Sequence, residues 1–567
     1  MNNKLVSLTV SVLSGLLIAL VLLLAQAQFA SLARADPEVL YVAPDGTCEG
    51  ASPCFAHVQA AVDAATGGDE IRIATGVYTD VNVRPRIDVT ITGVVTQVIY
   101  LSKTLILRGG YTTTNWITPG LAANPTVLDA QEQGRVIYIA GDITSTLEGL
   151  RLTRGNANAP GLGDYCIGSD CYGNGGGLYG ITATVILSNC QIDHNTAWSG
   201  SGLYLSNSDA TLITSTIHDN AAYYSGGGLT LDSSNATLSA NTLLSNSATW
   251  FGGGMMLSHS PARMTGNMIL SNTTTYGDGG GLYLSLSDAM LIGNRIQDNV
   301  SNGTDKFTHG GGGVFLASSN ATLNGNFIQS NTAQLSGGGV YLSGNASTLS
   351  GNSISGNRTN LGSGGGLFTA IDTSTLSSNI ITGNQGGGVY LMRSQATLIN
   401  NVVADNQADG IYIAGGAPQL LFNTVARNGS GNGVGVVVST YIATGGHSYS
   451  STTALTDTIL VSHSVGISLT TGNTATINGI LWSATPITLS QANSTTAIVH
   501  NQVEGDPAFD VDGFHLTAAS PAIGAGVSTG SWPDIDHEPR RSPPDLGADE
   551  YWAPGALQKV YLPLILR

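Results

Sequence analysis

The sequence predicts an all-β solenoid, a single-stranded parallel β-helix closed at its N-terminus by a short helix. Three observations carry the prediction. A frame typified by "GDGGGLYLSLSDAMLIGNRIQDN" (residues 277–299) recurs from residue 175 to residue 432. Its closing asparagines, Asn195, Asn220, Asn246, Asn272, Asn299, Asn331, Asn357, Asn384, Asn406 and Asn428, follow one another at steps of 22 to 32 residues. A period in the twenties marks a unit that cannot bury its own apolar face and stacks on its neighbours. Two apolar columns keep fixed register through the units, Leu187 to Leu420 and, five residues on, Ile192 to Val425. The stretch after the glycines alternates with period two, as in Leu282-Tyr283-Leu284, which is strand spacing. Leucine-rich repeats share the period but place a helical segment in every unit, and these units read as strands throughout.

From the N-terminus, Lys4 precedes an apolar run from Leu5 to Ala25, and "QAQFASLARADP" offers cleavage after Ala35 or after Ala27. Residues 1–35 therefore read as an export signal, with an uncleaved membrane anchor as the alternative. Residues 36–174 read as an N-terminal cap and irregular first coils. In "CFAHVQAAVDAATGGDEIRIATGVY", Phe55, Val58, Val62 and Ala65 share one helical face, which suits a helix plugging the open end of the core. Cysteine spacing fits an exported chain: Cys48 with Cys54, and Cys166 with Cys171, read as small disulfide-closed loops, with no histidine at zinc-ligand spacing beside either pair.

Within residues 175–432, a second asparagine column runs Asn241, Asn267, Asn294, Asn326, Asn352, Asn379, Asn401 and Asn423, with Cys190 and Ser215 in its first two places. Stacked coils about 4.8 Å apart let each amide bond the ones above and below. Cys190 then reads as a buried end of that column. The recurring "GGGLY…I-x-x-N" resembles the repeats of chlamydial polymorphic outer-membrane proteins and, more broadly, right-handed pectate-lyase-like β-helices. The resemblance covers about half of the chain. It implies a right-handed helix, and that fold hosts lyases, hydrolases, esterases and adhesins, so it does not choose an activity.

Residues 433–500 read as coils without the asparagine register. In 501–552, "DPAFDVDGFHLTAASPAIGAG" and "DIDHEPRRSPPDLGADEY" resemble the C-terminal module called choice-of-anchor Q, with Gly524 where that pattern commonly has aspartate. The apolar tail 553–567 reads as a sorting signal or a last strand. No cofactor is predicted. Calcium could be offered carboxylates by Asp506, Asp510 and Asp512, without EF-hand spacing.

Net charge is −17, with 10% charged residues and four lysines, which argues against nucleic acid as a partner. Neither a paired-aspartate hydrolase motif nor an aspartate cluster beside a basic residue stands out. The weak candidates for catalysis are Asp193, His194, His218 and Asp219, which stacking brings side by side, with Asp305 and His309 of the long fifth unit. The aromatic residues are more telling. One column reads Tyr179, Tyr204, Thr230, Met256, Tyr283, Phe315, Tyr341, Phe368, Tyr390 and Tyr412 and is expected to face outward, its rings stacking on one another to stiffen the sheet. The loops of the first five units add Trp198, Tyr223, Tyr224, Trp250, Phe251, Tyr276 and Phe307, and later loops have none. Exposed rings on a rigid frame suit stacking on sugar faces. The expectation is a secreted or cell-surface protein that binds polysaccharide or a surface glycan, or acts in adhesion, without catalysis. A polysaccharide lyase or glycoside hydrolase and a structural spacer are the alternatives. Contact with a membrane is expected only through the signal or anchor segment.

Overall fold

The computed structural model describes residues 37–86, 93–158, 173–304, 310–528 and 532–553, with the backbone alone of 165–167 and 170–172. The fold is a right-handed parallel β-helix. One coil shows the plan: strands Leu282–Ser285, Met290–Ile292, Arg295–Gln297 and Val300–Ser301 each pair, parallel and in register, with their counterparts one coil before and one coil after. The leucine and isoleucine columns lie inside and merge into one core running from Leu40 to Trp482. Every coil buries a few apolar residues that only the neighbouring coils cover, so no coil is stable alone.

The corners are set by the asparagines. Ser271, just before Asn272, takes the left-handed conformation (φ 54°), and equivalent corners use Ser245, Asp298 and Ser330. Such a corner turns the next side chain inward, where a polar group must find partners. Asn272 finds all of them. Its Nδ2 donates to Asn299 Oδ1 (3.0 Å) and to the Leu243 carbonyl (3.0 Å), while its Oδ1 accepts from the Asn246 amide (2.9 Å) and Asn246 Nδ2 (3.1 Å). The pattern repeats from Asn195 to Asn428 and, in the second column, from Asn241 to Asn423. At its far end the first ladder meets the ring of His463, whose Nε2 lies 3.3 Å from Asn428 Nδ2. A third rail escaped the sequence reading: the amides of Ser208, Ser234, Ser260 and Ser287 each donate to the hydroxyl of the next serine, ending at Ser319.

The glycine triplets have two physical causes. Gly279 has φ 65°, which a side chain disfavours. At Gly280 a Cβ would lie 2.5 Å from the Val300 carbonyl and 2.6 Å from that of Gly312, so the next coil leaves no room.

At the N-terminus the capping helix is Val58–Ala64, with Val58, Ala61 and Val62 buried on the core. Phe55 is a correction: it lies in the two-residue strand Cys54–Phe55 instead of the helix, because that segment pairs with Val39–Val42. Cys48 and Cys54 form the expected disulfide. The hairpin Tyr165–Ile167/Asp170–Tyr172 sets Cys166 opposite Cys171, and their side chains lie outside the described residues. Cys190 is buried and unbridged, and burial pushes its thiol up to about 11.

Beyond Asn428 the asparagine register ends and strands lengthen, Thr452–Val461 pairing with Thr474–Ser483 and that with Thr496–Glu504. The following segment folds back along the flank. Leu516, Ala522, Leu546 and Ala548 pack on outward residues Val402, Ala404, Ala426, Ile459 and Val461 of the late coils. Among the described residues no helix is long and apolar enough to cross a membrane.

Candidate functional site

Immediately after each ladder asparagine comes a short strand on the third face, Thr196–Ser199, Ala221–Ser225, Ser247–Ala248 and Thr273–Thr274 in successive coils. Trp198, Tyr223 and Tyr224 lie in these strands, and Trp250, Phe251 and Tyr276 follow just after them. Ala197 pairs with Ala222 and Ser199 with Ser225, so two residues, Tyr223 and Tyr224, stand opposite one, Trp198. This bulge aims both tyrosines at the same indole. Trp198 stacks on Tyr223 at 5.1 Å and on Tyr224 at 5.4 Å, the latter nearly parallel at 4°. Tyr224 meets Phe251 edge-on at 5.6 Å, and Trp250 meets Tyr276 at 5.9 Å. Tyr223 is 60% and Tyr276 57% exposed. Trp198, Trp250 and Phe251 are half-buried beneath or beside them. Phe307, Asp305 and His309 lie outside the described residues.

The long aromatic column stacks ring on ring, the reading favoured from the sequence. Its rings leave the main core, as expected, and Tyr283, Tyr390 and Tyr412 are half-buried. Tyr283, Phe315, Tyr341, Phe368, Tyr390 and Tyr412 stack at 4.6 to 5.1 Å, close to the strand spacing, so each ring covers the next. Phe315 and Tyr341 are 3% exposed and Phe368 6%. Burial pushes the Tyr390 hydroxyl up to about 12 and those of Tyr283 and Tyr341 higher still. Thr230 and Met256 would break the column, but Phe251 reaches in from the loop and meets Tyr283 at 4.8 Å. The open platform and the buried column are thus one continuous line of rings. A second line runs from Tyr204 and Tyr179 on to Tyr138 and Tyr100, the last two in coils where irregular spacing hid them from the sequence.

Register pairs Asp193 with His218. They do not bond one another: each histidine bonds the aspartate beside it in its own coil, and the other partners come from the coil before. Asp193 is wholly buried and takes a bidentate pair from Arg151 (2.8 and 2.7 Å), the Thr153 hydroxyl (3.1 Å) and His194 Nδ1 (2.7 Å). Burial works to raise its pKa, and the Arg151 and His194 hydrogen bonds outweigh it and hold the carboxyl below the usual range. His218 sits between Asp219 (2.7 Å) and Gln191 (2.9 Å), its ring 6.2 Å from that of His194. Asp129, Glu132, Arg151, Arg154, His194 and Asp219 line a groove of about 640 Å3 here. An aspartate filled by four donors is a poor general base, since each bond favours the anion.

The densest titratable cluster was missed by the sequence reading. In the C-terminal segment, Asp534, Asp545, Asp549 and Glu550 are buried around Arg540 and Arg541. Desolvation pushes Asp534 up to about 7 and Asp549 up to about 6. His515 is raised to about 9, chiefly by Asp536 (2.8 Å), and Asp512 holds its other nitrogen. The available signal was the run of acids from 534 to 550 in a chain with 10% charged residues. Asp506 and Asp510 instead accept local turn amides, from Ala508 and Val511, and do not converge with Asp512.

A family model described as "Right handed beta helix region" matches residues 163–328 and 306–479. No curated protein matches the sequence. Among solved structures, the chain is similar to the A-module of the mannuronan C-5 epimerase AlgE6 of Azotobacter vinelandii (11% identity, 79% of this chain and 94% of that one, TM-score 0.22). It is also similar to pectate lyase Pel9A (13%, 91% and 97%, TM-score 0.26) and to PfbA, a surface adhesin of Streptococcus pneumoniae (12%, 72% and 94%, TM-score 0.33). Scores this low support no inference about activity. The two matched stretches together span more than half of the 567 residues, and the chain belongs to the right-handed β-helix family.

Proposed function

We propose that this chain is an exported surface protein that binds polysaccharide on the ring platform of its first coils and does not cleave it. The observation that carries the reading is the Trp198–Tyr223–Tyr224 stack, with Tyr223 and Tyr276 open to solvent on a ladder-stiffened frame. Flat apolar faces held rigidly at coil spacing match the faces of successive sugar rings and lose little entropy on binding. The full pairing of Asp193 supports binding over hydrolysis, which needs one carboxyl kept protonated near a second that is free. In this reading residues 1–35 direct export, 175–432 are repeats of the polymorphic outer-membrane type, and 501–552 form a choice-of-anchor Q-like module ahead of a sorting tail at 553–567.

Affinity electrophoresis through gels cast with individual polysaccharides tests it, with Trp198→Ala/Trp250→Ala run alongside. Retardation by a polymer, lost in the double variant, is the expected result. Retardation that survives in the variant, or none by any polymer, removes the platform reading. Release of new sugar ends from a retained polymer would move the assignment to an enzyme using the neighbouring groove.

A further inference from the structure

The C-terminal segment brings one histidine and two aspartates from three separate stretches of chain to a point. Ligand atoms of His515, Asp536 and Asp549 all lie within 4.8 Å of one another. Ligands at about 2.1 Å on a tetrahedral ion sit about 3.4 Å apart, so the widest pair closes by roughly 1.4 Å at most to complete the set. Asp536 is half exposed and lies at the open side of the cluster. The imidazole is already oriented. Asp512 holds Nδ1, which leaves Nε2 turned toward Asp536 at 2.8 Å. A carboxylate behind a histidine is the usual way a metal-binding imidazole is fixed. Asp549 supplies an independent sign. It is 5% exposed and accepts only the Leu516 amide (2.6 Å), on one oxygen. Its other oxygen receives no hydrogen bond among the described residues. Arg540, the nearby cation, spends its Nη2 on Asn400 Oδ1 and the carbonyls of Gly547 and Ala548.

We propose that His515, Asp536 and Asp549 bind a divalent transition-metal ion, Zn2+ or Mn2+, with Asp512 as the carboxylate that orients the imidazole. A nitrogen donor beside two oxygens suits these ions over Ca2+ or Mg2+, which prefer all-oxygen shells. The ion would tie together three points of a segment that has no strand of its own among the described residues, so it acts on the stability of the module.

The test uses the full exported chain, stripped with EDTA and titrated calorimetrically with ZnCl2, MnCl2 and CaCl2, with the visible spectrum of Co2+ as a second readout. One Zn2+ or Mn2+ per chain is expected, weakened at least tenfold by Asp536→Asn and by His515→Gln, and unchanged by Asp506→Asn. Asp536→Asn alters a half-exposed side chain and decides the matter if His515→Gln fails to fold. No binding of either ion, binding that Asp536→Asn leaves unchanged, or a preference for Ca2+ would overturn the proposal.

Discussion

The guanidinium of Arg540 lies 4.0 Å from the centre of the Phe422 ring, so a cation from the C-terminal segment is clamped over a fully buried aromatic of the late coils. The same side chain donates to Asn400 and faces Glu550 at 3.6 Å. Arg540→Ala should therefore release the module while sparing the solenoid. Removing one partner of a buried pair costs about 3–5 kcal/mol. Hydrogen exchange should show lost protection in 505–552 and unchanged protection in 175–432. Arg540→Lys should recover little, because a point charge cannot reproduce the fork.

In mid-ladder, Asn299→Ala leaves the Asn272 backbone amide without an acceptor, takes one of two acceptors from Asn272 Nδ2 and removes the side-chain donor of Asn331 Oδ1. Each buried group stranded in this way costs about 1–3 kcal/mol. Equilibrium denaturation should report a loss of that order, with exchange loosening in the coils on both sides. Equal protection in those coils would show the ladder to be dispensable.

Two glycines of one coil should respond differently. Gly280→Ala drives a Cβ into the backbone of the next coil, and the chain should not accumulate as folded protein. Gly293 has open space around its missing Cβ and is glycine only for its φ of 61°, so Gly293→Asn should cost no more than about 1 kcal/mol. Thermal melts of the pair separate crowding from backbone strain.

Stripped of metal with EDTA, the module should hold more tightly at pH 5 than at pH 8. Asp534 and Asp549 have folded pKa values of about 7 and about 6, above the ordinary 3.8, so the folded state binds more protons. That contribution is present at low pH and is lost as pH rises toward 7. His515, raised to about 9, acts in the same direction, its contribution lost as pH climbs from about 6.5 through 9. His463 acts oppositely: buried and depressed to about 4, it favours the neutral ring and loses stability as pH falls below 6.5. Exchange followed by mass spectrometry across pH 4–9 should show the module loosening upward and the coil around Asn428 loosening downward.

The ladders were legible because one asparagine in each unit is a periodic signal and amide chemistry allows one stacked arrangement. The serine rail was not, since Ser208 and Ser260 sit among many other serines and only the inward turn singles them out. The outward pointing of Phe315 and Tyr341 followed from alternation. Their burial followed from the ring-on-ring stacking expected at coil spacing, since each is covered by the ring above and the ring below. The bulge that sets Tyr223 and Tyr224 against Trp198 depends on one extra residue between coils, a difference visible only in register. The C-terminal cluster was least accessible. It joins positions far apart in sequence, Asn400 to Arg540 and Thr424 to Ala548, with no repeat to align them.

Every bond between ladder asparagines points the same way: the amide nitrogen gives to the oxygen of the following asparagine, and its own oxygen receives from the preceding one. Each rung therefore offers a donor on one side and an acceptor on the other. A whole coil can be duplicated or excised between two rungs, and the severed faces meet again as donor to acceptor. The length of the rod is a free variable, open to change in steps of one coil while the helical lid at one end and the clamped segment on the flank stay as they are.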